Sequence, residues 1–176
     1  METLTVNGTI DPYIEVPSGL IRLRLLNGSQ ARVYRLSVDG SPMHKIASDG
    51  GYLEAPVELE QLDLAPGDRA EIIVDVGSAP IALLDSNFER VLEIRLTGHA
   101  SAGTELPAKL ADIDRIAVDE ITVDRAFDMA QEGEQWGING AVMDMAVVNE
   151  TITFGDTERW TITVDNGQHV FHVHQT

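Results

Sequence analysis

Apolar and polar residues alternate in short runs along this chain, and each run stops at a turn signal. LTVNG, IEVPSG, LIRLRLLNG, RVYRLSVDG, RAEIIVDVG and VLEIRLTG all carry the two-residue period of half-buried strands. Asn7-Gly8, Asn27-Gly28, Asp39-Gly40 and Pro66-Gly67 are turn dipeptides between or beside them. No segment keeps a helical period, apart from a turn or two at PAKLADIDR. Many short strands at this spacing predict an all-β, Greek-key sandwich or barrel. Its core faces would carry Tyr34, Leu36 and Val38 on one strand and Ile72, Val74 and Val76 on another.

The alternation lapses at 98–115, GHASAGTELPAKLADIDR, where Gly, Ala, Ser and Pro collect. This predicts a first domain over 1–98, a linker over 99–115 and a second module over 116–176. At about 61 residues the second is short for a complete sandwich, because small domains bury too little apolar surface to offset chain entropy. It is therefore expected to be incomplete, with a strand edge left unpaired by its own chain. An internal echo supports two copies of one β module. TVNGTID near the start matches GINGAVMD at 137–144, Arg22 falls opposite Arg159, and Asn27 falls opposite Asn166. The strand after the first echo, Arg32 to Ser37, aligns with His169 to His174 after the second.

That alignment turns a pattern into candidate chemistry. Of five histidines in 176 residues, three are His169, His172 and His174. On a strand His169 would share the inward parity of Phe171 and Val173, while His172 and His174 would face the other way. Neighbours two apart stand about 7 Å from each other, which suits donors to adjacent ions or to one ion if the strand bends. Imidazole serves copper, zinc, iron or nickel, so the spacing leaves the metal open. The first module has Arg32, Arg35 and Ser37 at the matching places and is expected to bind no metal there.

Composition narrows the classes. With 12 basic and 29 acidic residues the net charge is −17, which disfavours nucleic acid and anionic lipid as partners. The apolar runs are far shorter than the ~20 residues of a membrane span, and METLTVNG lacks the features of a signal peptide. There is no cysteine, hence no disulfide, thiol nucleophile or thiolate ligand. Met143-Asp144-Met145 places two thioethers on one face, where core packing is the commoner use. His44 and His99 have no co-ligand close in sequence, and Trp136 and Trp160 are expected to fill core or inter-module contacts.

The stretches RLRLLN, SDGG and LAPGDRAEIIVD resemble the middle cupredoxin domain of bacterial multicopper oxidases, the laccase-like and bilirubin-oxidase-like enzymes. WGINGAVMD followed by GDTERWTITVDNGQHVFHVHQT is similar to the start of their third cupredoxin domain. The resemblance implies that His169 binds a mononuclear copper, and that His172 and His174 bind a trinuclear copper cluster shared with another domain. Val170 stands where that family usually has proline. It further implies a periplasmic or extracellular parent. That parent would oxidise phenolic, bilirubin-like or metal-ion substrates one electron at a time and reduce dioxygen to water. Its first domain and the remainder of its third would be the partners of this chain, which is expected to be inactive alone. Unpaired strand edges would also permit a homo-oligomer. Two other readings stay open: a non-catalytic cupredoxin-like scaffold, and a stand-alone acidic β protein with a histidine-based zinc or copper site.

Overall fold

A computed structural model describes residues 3–86, 88–100, 105–165 and 169–173. The chain divides into two compact units, 1–113 and 114–176. Among the described residues there is no α-helix, and the strands give the all-β, cupredoxin-like architecture expected from the alternation.

The first unit contains eight strands: β1 (Tyr13–Leu26), β2 (Tyr34–Val38), β3 (Met43–Ser48), β4 (Gly51–Leu59), β5 (Leu62–Leu64), β6 (Arg69–Val76), β7 (Ile81–Asp85) and β8 (Phe88–Ala100). They hydrogen-bond in the order β4-β3-β6-β1-β8-β7-β2-β5. The long strand β1 joins two sheets. Tyr13–Val16 run parallel to Glu93–Leu96 of β8, whereas Gly19–Leu26 run antiparallel to β6. The sequence pattern divides this stretch into two strands separated by a turn at Pro17-Ser18-Gly19. The structure instead makes one bulged strand that crosses from sheet to sheet, with Gly19 at φ 115°, a conformation that side chains disfavour.

Alternation then fills the space between the sheets. Leu36, Val38, Leu62, Leu64, Leu83, Leu92 and Ile94 come from one side, and Met43, Ala70, Ile72, Val74 and Val76 from the other. Five of the six expected core residues are buried. Tyr34 is half-buried at the margin, its ring beneath the Arg32 guanidinium. β4 carries Pro56 and is tolerated because it lies at the sheet's edge, where a missing donor leaves no ladder partner unsatisfied. That outer edge is met by residue 110: Leu110 N–H donates to the Glu54 carbonyl at 2.8 Å. The helical turn expected at PAKLADIDR is not formed, and β8 runs two residues into the stretch read as a linker.

In the second unit β9 (Val123–Glu132), β10 (Gln135–Ile138), β11 (Ala141–Val142) and β12 (Glu158–Val164) form a sheet ordered β11-β10-β9-β12. β9, β10 and β11 are antiparallel neighbours, and β12 returns parallel to β9. The tip between β10 and β11 is Asn139-Gly140 at φ 51° and 77°. Asn7-Gly8, at φ 50° and 78°, closes the Val6–Thr9 bridge in the same way. Both are the paired positive-φ turns that Asn-Gly favours, so the echo noticed in the sequence is also an echo in backbone geometry.

Candidate metal-donor segment and its support

The second unit builds its small interior from the inward side of β9. Val123, Arg125, Phe127 and Met129 share that side, and Phe127 and Met129 are buried. Arg125 is the anomaly in the row, and β12 resolves it. Its Nε and Nη2 each donate to Glu158, both at 2.9 Å, and Nη1 donates to Glu150 at 2.6 Å. The indole Nε1–H of Trp160 donates to Glu158 Oε2 at 2.6 Å. The Glu158 side chain is only 6% exposed, and its carboxylate is held by two donor groups at once. The Arg125 hydrogen bonds, reinforced by Trp160, pull its pKa down to about 2 from 4.5, while Arg125 is pushed above its ordinary value, chiefly by Glu158.

A depressed carboxylate pKa has a definite sign. The unfolded chain takes up a proton near pH 4.5 and the folded unit only near pH 2. The stabilisation is therefore complete above about pH 4.5 and is lost as pH falls toward about 2. Acid titration followed by near-ultraviolet circular dichroism should show the tryptophan signal of wild type decaying across this window. In Glu158→Gln the dependence should be weakened there. An unchanged acid profile in the variant would contradict the assignment.

Above this pair lies an aromatic cluster. Trp160 meets Phe127 edge-on at 5.0 Å between ring centroids, and Phe171 packs on Phe127 at 5.4 Å and on Trp160 at 6.2 Å. Phe171 is thus the inward-turned residue of the histidine-bearing segment. His169 lies against Trp136 at 4.9 Å, with Nδ1 2.8 Å from the Val170 carbonyl oxygen. His169 and His172 are exposed, whereas Phe171 and Val170 are half-buried.

Two expectations need correction. Residues 169–173 are not in a strand, because a strand requires a ladder partner and none among the described residues pairs with them. His169 and Val173, both expected to turn inward with Phe171, are exposed, Val173 at 55%; the aromatic cluster reaches only as far as Phe171. His174 lies outside the described residues. Among the described residues no three His, Cys, Asp or Glu side chains converge on one point. Met143 and Met145 are 80% and 88% exposed, so their shared face is not core. His44 Nε2 stands 3.5 Å from Glu58 on the neighbouring strand, a partner the sequence spacing did not show. His99 lines a shallow cleft with Ser18, Asp75 and Ser78. The Arg125–Glu158 pair also escaped the sequence reading; its signal was a charged residue in the inward row Val123, Arg125, Phe127, Met129.

A family model described as multicopper oxidase matches residues 15–87, which span β1 to β7. With the all-β fold, this supports reading the chain as a fragment similar to multicopper oxidases. Among its relatives is cell division protein FtsP of Escherichia coli (strain K12), 38% identical over an alignment that takes in 98% of this chain and 40% of that protein. Among solved structures, the laccase-like multicopper oxidase CueO from Ochrobactrum sp. superposes with a TM-score of 0.82 at 26% identity, over 90% of this chain and 41% of that one. A laccase from Pediococcus acidilactici gives 0.82 at 29%, over 92% and 36%. The chain therefore spans less than half the length of these relatives.

Proposed function

We propose that the complete protein is a copper-dependent oxidase in which His169, His172 and His174 are metal donors. The grouping of three imidazoles beside an anchored Phe171 carries this reading. The donor chemistry is compatible with copper: with Nδ1 of His169 2.8 Å from the Val170 carbonyl oxygen, the Nδ1–H tautomer would leave Nε2 as a lone pair for a metal. With no cysteine in the chain, any thiolate ligand and the remaining donors come from elsewhere in the protein. This chain alone is expected to be inactive. Bound copper would supply the one-electron steps that link a phenolic, bilirubin-like or metal-ion reductant to dioxygen. A periplasmic or extracellular site of action accords with the family. The partners of this chain are then the preceding domain and the rest of the third; assembly between copies through strand edges is the alternative.

A second reading has its own support. The 38% identity to a cell division protein exceeds the 26% and 29% to the oxidase structures, which favours a non-catalytic cupredoxin-like scaffold. Oxygen uptake by the full-length protein, with copper and a phenolic reductant supplied, separates the two. The oxidase reading expects catalytic uptake, falling at least about 100-fold in His172→Ala, as for loss of a group on which the chemistry depends. No uptake in wild type would favour the scaffold.

A further inference from the structure

The histidine segment is short of ladder bonds, yet one of its side chains is held by two rings. This suggests what fixes its position. Seating one side chain of a short segment fixes the register of that segment over the sheet beneath it, and so where its neighbours are held. Phe171 is that side chain, since it packs on Phe127 and Trp160 while His169 and His172 on either side of it are exposed. The Trp160 ring is itself oriented, because its Nε1–H is tied to Glu158, and Glu158 is clamped by Arg125 from the adjacent strand.

We propose that Glu158 and Trp160 are positioning residues for the metal-donor segment: Glu158 sets the indole, the indole seats Phe171, and Phe171 decides where His169 and His172 are held. Neither residue touches the metal. The proposal rests on the copper reading only for what the histidines hold; the seating of Phe171 stands without it. The distances support this order of action. Trp160 Nε1 to Glu158 is a short, charge-assisted hydrogen bond, and the ring stands perpendicular to Phe171 at 85°, so a tilt of the indole would strip Phe171 of one wall.

The test uses the full-length protein, which supplies the donors this chain lacks, and two readouts. In the metal-free protein, proton NMR should show contacts between the Phe171 and Phe127 rings. With Cu²⁺ added, quenching of tryptophan fluorescence reports binding, because Trp136 lies against His169. Glu158→Ala should lose the ring contacts and raise the half-saturating copper concentration about 10-fold or more, the scale seen when support behind a ligand is removed. Glu158→Gln keeps an acceptor for the indole and should stay within about 3-fold of wild type. Trp160→Phe keeps a ring but has no N–H to anchor, and should behave like Glu158→Ala; it also serves as the second variant if Glu158→Ala fails to fold. Unchanged ring contacts and unchanged copper affinity in both Glu158→Ala and Trp160→Phe would overturn the proposal, as would equal losses in Glu158→Gln and Glu158→Ala. If ring contacts are lost in the variants but wild type binds no copper, the positioning is upheld and the copper reading is what fails.

Discussion

Replacing Asn27 by alanine should lower the stability of the first unit by about 2–4 kcal/mol, read as a shift in the urea midpoint without a change in slope. This side chain is 2% exposed and fully used. Its Nδ2 donates to the carbonyls of Arg32 at 2.7 Å and Leu64 at 2.8 Å, while Oδ1 accepts from the Ser29 N–H at 2.9 Å and from the Ser29 hydroxyl. Its backbone is tied as firmly, with Asn27 N–H to Asp68 O and Gly67 N–H to Asn27 O. The side-chain amide therefore binds together the end of β1, the approach to β2 and the end of β5, and the backbone of the same residue ties in the turn before β6. Alanine leaves two carbonyls and a backbone N–H without these partners, and each such group costs about 1–3 kcal/mol if it stays buried. Asn27→Asp is the sharper variant. It keeps the size but aims a carboxylate oxygen at two carbonyls, and should be at least as damaging as alanine. Stability near wild type in Asn27→Asp would show that the donors are not what matters.

The second large effect is in the core. Ile72 is fully buried on β6, which lies between β3 and β1. Ile72→Ala removes three buried carbons from a site enclosed by other strands and should cost about 2–5 kcal/mol. Ile73, one residue on, faces the opposite side and is half-buried. Ile73→Ala should cost clearly less, because the environment can relax toward water. Equal costs at the two positions, in chemical denaturation of the single variants, would contradict the parity assigned to β6.

Parity was the most legible feature of the sequence. RAEIIVDV and YRLSV carry their alternation openly, and the buried residues Leu36, Val38, Ile72, Val74 and Val76 follow from it. The metal-donor candidates were legible for a different reason: three imidazoles in six positions depart from the composition around them. Other features were masked by local exceptions. β1 reads as two strands because Pro17-Ser18-Gly19 looks like a turn, and only the pairing with β8 and then β6 makes it a crossing strand. β9 is hidden because Arg125 breaks an apolar row, and the residue that allows this, Glu158, is 33 positions away. Asn27-Gly28 reads as a turn dipeptide, whereas the amide works as a buried strut for three separate segments. In each instance a long-range partner, which no local window contains, overrides the local signal.

The histidine segment joins the two halves of this account. Its anchoring depends on Phe171 against Phe127 and Trp160, and its chemistry depends on His169, His172 and His174. The most direct test of the central claim is the copper content of the full-length protein, purified after copper loading and exhaustive dialysis, beside the His169→Ala, His172→Ala and His174→Ala variants. Stoichiometric copper in wild type, reduced by each substitution, is the predicted result; a protein that retains none, or variants that retain as much as wild type, would contradict it.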